Sequence, residues 1–109
     1  MAEKPMLSLG QRLRVLFDGG PGKPKTCAHL DQIQDVTPSV QGCEECLQMG
    51  DRWVHLRICK ICGHVGCCDN SKNKHATKHF HSTGHPIIQS FQPGETWLYC
   101  YPDELMFEL

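Results

Sequence analysis

The chain has 109 residues, a formal net charge of −1, eight cysteines and seven histidines, and a hydrophobic share of 39% that counts those cysteines. One small domain with so thin an apolar core needs staples, either disulfides or structural metal. The near-balanced charge excludes the strongly basic surface required of a general binder of phosphate backbones.

The first twenty residues carry only a weak apolar stripe, Leu7, Leu9, Leu13, Leu16 and Phe17, broken by Gln11, Arg12 and Arg14. That pattern is neither a signal peptide nor a membrane span, so a reducing, cytoplasmic setting is expected, in which thiols beside histidines bind zinc rather than pair as disulfides. Residues 6–17 are predicted as a short helix or as a tail that folds back on the domain. The run Gly19-Gly20-Pro21-Gly22-Lys23-Pro24-Lys25 reads as a linker. Residues 1–26 are therefore set apart as tail or short helix plus linker, and residues 27–109 as the folded unit.

Within that unit the alternation of Arg52-Trp53-Val54-His55-Leu56-Arg57-Ile58 predicts a strand leading into a Cys59-x-x-Cys62-Gly63 knuckle, where glycine supplies the tight turn. Asn70 or Ser71 can cap a helix over roughly 72–82, with Gly84 at its left-handed C-terminal position. Residues 86–91 and 95–101 flank Gln92-Pro93-Gly94 and predict a hairpin. The expected class is α+β: a small zinc-stabilised domain with a twisted antiparallel sheet, one main helix and Cys/His knuckles.

A Cys-x-x-Cys pair offers two ligands from one turn, and tetrahedral zinc then needs two more from elsewhere. Two such pairs are present, Cys43/Cys46 and Cys59/Cys62. On the predicted helix His75 and His79 lie four apart and share a face, while His85 follows Gly84 and can fold back. No role is assigned to His55, His64 or His81.

Cys43-x-x-Cys46, Trp53, Cys59-x-x-Cys62-x4-Cys67 and His75-x3-His79-x5-His85 together resemble the UBP-type zinc finger, the ubiquitin-binding module of deubiquitinases. The resemblance spans 27 to about 107, and Gly63-His64-Val65-Gly66-Cys67-Cys68-Asp69 is most similar to small stand-alone bacterial members. It implies interleaved ligands, with Cys43, Cys46, Cys67 and His75 on one zinc and Cys59, Cys62, His79 and His85 on a second. Members with three zincs carry an early Cys-x-His, here Cys27-Ala28-His29, and a late Cys-x-x-Cys, here reduced to Cys100. The cysteines left over then suggest a third set of Cys27, His29, Cys68 and Cys100, since in an extended strand Cys100 faces away from Tyr99 and Tyr101 and Cys68 could share that side. The alternatives are a third site that uses Asp103, with Cys68 a buried free thiol, or no third site. At least two and up to three Zn²⁺ are expected.

Four protein ligands per metal make structural rather than catalytic centres, and no nucleophile signature accompanies them, so the expected chain is not an enzyme. The family pocket takes the free Gly-Gly tail of ubiquitin on an aromatic floor, with an arginine after the third knuckle cysteine. By that resemblance Trp53, Tyr99 and Tyr101 would line the pocket and Asp69 would stand at the arginine position, while about four extra residues, His55 to Ile58, precede Cys59. The expected function is a zinc-binding protein-interaction module, as a monomer, that recognises a protein or peptide C-terminus. The alternatives are a structural zinc domain using another surface and, on Lys72, Lys74 and Lys78 alone, nucleic-acid binding. A solvated basic helix face accounts better for those lysines. No membrane partner is expected.

Overall fold

A computed structural model describes the backbone of residues 14–17 and residues 27–109 in full. Its strands are β1 (Arg14–Phe17), β2 (Leu56–Cys59), β3 (Val65–Cys67), β4 (Ile87–Ser90), β5 (Leu98–Cys100) and β6 (Leu105–Glu108), and its helices are α1 (Glu44–Met49) and α2 (His75–Thr83). The strands form a single sheet in the order β1-β6-β5-β4-β2-β3, with every neighbouring pair antiparallel. Arg14–Phe17 is an edge strand against β6 and not part of a helix. The rest of the expected 6–17 helix lies outside the described residues.

Register divides the sheet into two faces. Ile87 pairs with Cys100, Cys100 with Leu105, and Leu98 with Phe107, and all five side chains are buried. They pack with Cys27 under the segment that carries Leu30 and Ile33, forming the larger apolar core. On the opposite face Ile88 pairs with Tyr99 and Tyr99 with Met106. This second face meets α2, through a parallel stack of Phe80 on Tyr101 with centroids 4.5 Å apart. The strand period of two thus separates an apolar side from an aromatic side.

The knuckle between β2 and β3 needs its glycine. Gly63 has φ of 87°, its N–H donates to the Cys59 carbonyl at 2.9 Å, and a Cβ there would lie 2.3 Å from the Thr37 carbonyl oxygen. Helix α2 ends as expected at Gly84, whose φ is 79° and whose N–H bonds the Phe80 carbonyl. It starts three residues later than the predicted boundary, because neither Asn70 nor Ser71 caps it. The His75 N–H instead donates to the Cys67 sulfur at 3.2 Å. The same device opens α1, where the Cys43 sulfur accepts the Cys46 N–H at 3.5 Å. Sulfur thus takes the capping role that an oxygen side chain plays elsewhere.

Candidate metal centres and the adjoining cleft

Three groups of side chains each bring four ligand atoms within 4.8 Å of one another: Cys43, Cys46, Cys67 and His75; Cys59, Cys62, His79 and His85; and Cys27, His29, Cys100 and Asp103. In the first, the sulfurs of Cys43, Cys46 and Cys67 lie 3.2, 3.4 and 3.6 Å from a single atom, His75 Nδ1. One imidazole nitrogen cannot hydrogen-bond three sulfurs at once. Ligands about 2.0–2.3 Å from a tetrahedral zinc, by contrast, stand roughly 3.3–3.8 Å from one another. The second group repeats the pattern, with Cys59 Sγ 3.6 Å from His85 Nδ1 and Cys62 Sγ 3.3 Å from His79 Nε2. All eight cysteines are free thiols.

The electrostatics suit a set of metal ligands. Burial pushes the Cys43 thiol up to about 12, and burial together with the nearby His64 and His85 pulls the His79 imidazole down to about 4. A cluster of buried thiols and neutral imidazoles becomes a set of thiolate ligands only beside a dication. These groups are compatible with zinc at up to three sites.

In the third group the fourth donor differs from the expected one. Asp103 Oδ2 stands 3.1 Å from His29 Nδ1 and 3.5 Å from Cys100 Sγ, whereas Cys68 is elsewhere, with its sulfur 3.6 Å from Ser71 Oγ. The face argument holds for Cys100 but not for Cys68. The Cys68 N–H is tied to the His55 carbonyl at 3.0 Å, and its side chain lines the same cleft as Tyr99 and Tyr101, on the far face of the sheet from Cys100.

His64, left without a role by the sequence, and several polar neighbours support these groups. The His64 ring is buried and stacks on His79 at 4.0 Å with an interplanar angle of 3°, while its Nε2–H donates to Glu45 at 2.8 Å. Glu45 on α1 thereby fixes a ring that fixes a candidate ligand. Glu44 joins these two in a looser acidic cluster, which the His64–Glu45 bond already explains. Replacing His64 by Ala is expected to weaken metal retention by the Cys59 group about tenfold in competition with a chromogenic chelator, as loss of outer-sphere partners does. Retention equal to that of the parent protein would deny His64 this part. On the other centre Asn73 donates to both Cys46 Sγ and Asp51, and Lys72 pairs with Asp51 at 3.2 Å.

A cleft of about 330 Å³ opens on the aromatic face of the sheet, beside α2, lined by Arg57, Asp69, Thr77, Trp97, Tyr99 and Tyr101. The Arg57 guanidinium lies 4.5 Å above the Trp97 ring, and Tyr99 meets Tyr101 edge to face at 5.2 Å. The Thr77 hydroxyl donates to Asp69 at 2.7 Å and lies 3.2 Å from the Tyr101 hydroxyl. Burial raises the Tyr99 phenol and pushes Tyr101 up to about 12, so both stay neutral at ordinary pH.

The expected pocket set is therefore split. Tyr99, Tyr101 and Asp69 come together, but Trp53 packs against Cys43, Cys46 and Cys67 and lines a separate depression with Val54, Leu56 and Phe91. The indole in the cleft is Trp97. The cleft's cation is Arg57, from the segment that appeared as extra residues in the sequence.

Comparison with known proteins agrees with this geometry. The family described as Zn-finger in ubiquitin-hydrolases and other protein matches residues 43–108, and the chain belongs to it. Among relatives, NAD-dependent deacetylase sir2A from Dictyostelium discoideum is 33% identical over 85 residues, covering 70% of this chain and 16% of that protein. The BRCA1-associated protein of Homo sapiens is 37% identical over 76 residues, covering 69% of this chain and 12% of that protein. The chain thus spans only a small part of the curated relatives it matches. The solution NMR structure of protein RPA1320 from Rhodopseudomonas palustris is 63% identical with a TM-score of 0.72, covering 77% of this chain and 82% of that one.

Proposed function

We propose that this zinc finger is a non-catalytic module that binds the free C-terminus of a protein or peptide, with a Gly-ended, ubiquitin-like tail as the preferred class. Zinc held by Cys43, Cys46, Cys67 and His75, and by Cys59, Cys62, His79 and His85, would keep the sheet and α2 in register, with no open coordination position for chemistry. A reducing compartment suits such a module, since the cysteines of the metal groups must stay available as thiols. Among the described residues no helix is long and apolar enough to cross a membrane.

The observation that carries the reading is the cleft itself, where aromatic walls stand beside a single guanidinium. Flat rings pack on flat glycine backbone, and a guanidinium donates two parallel N–H bonds to a terminal carboxylate. Stacking on Trp97 holds Arg57 in place for that contact. Asp69, bonded to Thr77 at the rim, can accept backbone N–H groups of an incoming chain.

Titration of a Gly-Gly-ended peptide into the zinc-loaded protein, followed by calorimetry, is expected to show saturable binding. Amidating the peptide terminus, or replacing Arg57 by Ala, should weaken it by about 1.5–3 kcal/mol, the loss of one charge-assisted contact. Tyr99→Ala should abolish it. Equal affinity for acid and amide peptides would sink the tail reading. A second reading has its own support, because Leu47, Met49 and Val54 are 53–57% exposed, with Val54 lining a depression together with Trp53, and could meet a protein partner. Binding retained in Tyr99→Ala but lost in Met49→Asp would select it.

A further inference from the structure

Two charged side chains line the cleft, Arg57 and Asp69, and among the described residues no ion pair joins them. We infer that the cleft selects tails carrying a lysine or arginine at the third or fourth position from the free carboxylate, and that Asp69 is the residue that reads this cation. The selectivity rests on the tail-binding reading and narrows the class of tail that the cleft takes.

Both charges are held by neutral groups, which position a charge without cancelling it. The Arg57 guanidinium lies over Trp97 and donates through Nη1 to the Leu56 carbonyl at 2.9 Å. Among the described residues Thr77 is the hydrogen-bond donor to Asp69, through Oδ1, which leaves the second carboxylate oxygen for a ligand. The place of Asp69 on the rim is preset. The Ser71 N–H donates to the Cys68 carbonyl at 2.9 Å and closes a turn with Asp69 inside it, and the buried Ser71 hydroxyl accepts the Val54 N–H at 2.8 Å. Asp69 itself is exposed.

A free tail brings a carboxylate, which Arg57 attracts and Asp69 repels. Asp69 therefore does not share the terminus with Arg57 and favours a positive group further back along the bound chain. Two glycines fill the aromatic slot in the tail-binding reading, so the first side chains to meet the rim belong to the third and fourth residues from the end. Successive side chains of an extended chain point to opposite sides, so one of these two positions faces Asp69 and the other faces away. An exposed carboxylate gives up little hydration on pairing with an ammonium or guanidinium, and the gain is that of a surface pair.

The test uses the zinc-loaded full chain and peptides that end in Gly-Gly, with Lys, Gln or Glu at the third or at the fourth position from the end. Each is titrated by calorimetry into the parent protein and into Asp69→Asn, which keeps the size of the side chain and an oxygen for Thr77. At one of the two positions Lys should bind roughly fivefold tighter than Gln, the upper end for an exposed pair, and Glu more weakly than Gln. The difference between Lys and Gln should vanish in Asp69→Asn, with the Gln peptide bound as before, and in the parent it should shrink as salt is raised. Equal affinities for Lys, Gln and Glu at both positions in the parent, a comparison that needs no variant, would overturn the selectivity and leave the tail reading standing. A Lys preference that survives in Asp69→Asn would deny Asp69 this part. So would an equal loss of the Lys and Gln peptides, which would mark Asp69 as a partner of backbone N–H groups instead. If no Gly-Gly-ended peptide binds the parent, the tail reading falls and the selectivity falls with it.

Discussion

Chelation of the metal is expected to unfold the domain, with loss of the sheet's far-ultraviolet signal and of its thermal transition, and with recovery when zinc is restored. The reason lies in how the two cores are made. The larger one draws Cys27 and Cys100 into its packing, and the smaller one is Cys43, Cys46 and Cys67 with Trp53 and Leu56 against them. Metal-free, that second core is three buried thiols around an imidazole, and the sulfur caps of α1 and α2 lose the charge that makes them good acceptors. Structural zinc in small fingers contributes on the order of 10–16 kcal/mol, against net domain stabilities of about 5–15 kcal/mol. Circular dichroism during a chelator titration checks this. A metal-free protein that keeps a cooperative melt within a few degrees of the parent would show that the apolar core suffices.

Gly66→Ala is expected to destabilise the folded, zinc-loaded protein by up to about 3 kcal/mol, the upper part of the usual overpacking range. The added Cβ would lie 2.7 Å from the Ala76 nitrogen and 3.0 Å from its Cα. Both are backbone atoms of α2, so no side chain can swing aside and the helix must retreat from β3. His75, next to Ala76, would then be drawn away from Cys43, Cys46 and Cys67. Gly94→Ala is the natural control, since its φ of 81° carries strain but nothing lies within 4 Å of the new Cβ. Urea midpoints compare the two. The clash argument fails if Gly66→Ala costs no more than the control and loses no zinc.

Much of the site was legible before any coordinates, and its failures have physical causes. Ligand spacing brought out the first two metal groups because a Cys-x-x-Cys turn and an i, i+4 helical pair are local geometries. Helix α1 and the true start of α2 escaped because their caps are sulfurs, Cys43 and Cys67, where sequence rules look for Ser, Thr, Asp or Asn. Strand β6 alternates buried and half-buried residues, yet no strand was expected there, since the turn before it uses Glu104 in place of a glycine. Cys68 was misplaced because alternation was extended past the end of β3, where the chain has already turned toward the cleft. Trp53 was placed in the cleft by spacing from Cys46. Which indole faces a cleft is set by tertiary packing, and Arg57 and Trp97 meet only because β2 and the β4–β5 hairpin are brought side by side.

The single helix that carries both His75 and His79 has a consequence for how this sequence can vary. One turn of α2 serves as a ruler shared by two different metal groups, with His75 facing the Cys43 group and His79 the Cys59 group. Inserting or deleting one residue between them would rotate one histidine by about 100° relative to the other, so one centre could be kept only by giving up its neighbour. Point substitutions on the helix surface leave the ruler intact. Length changes between His75 and His79 do not.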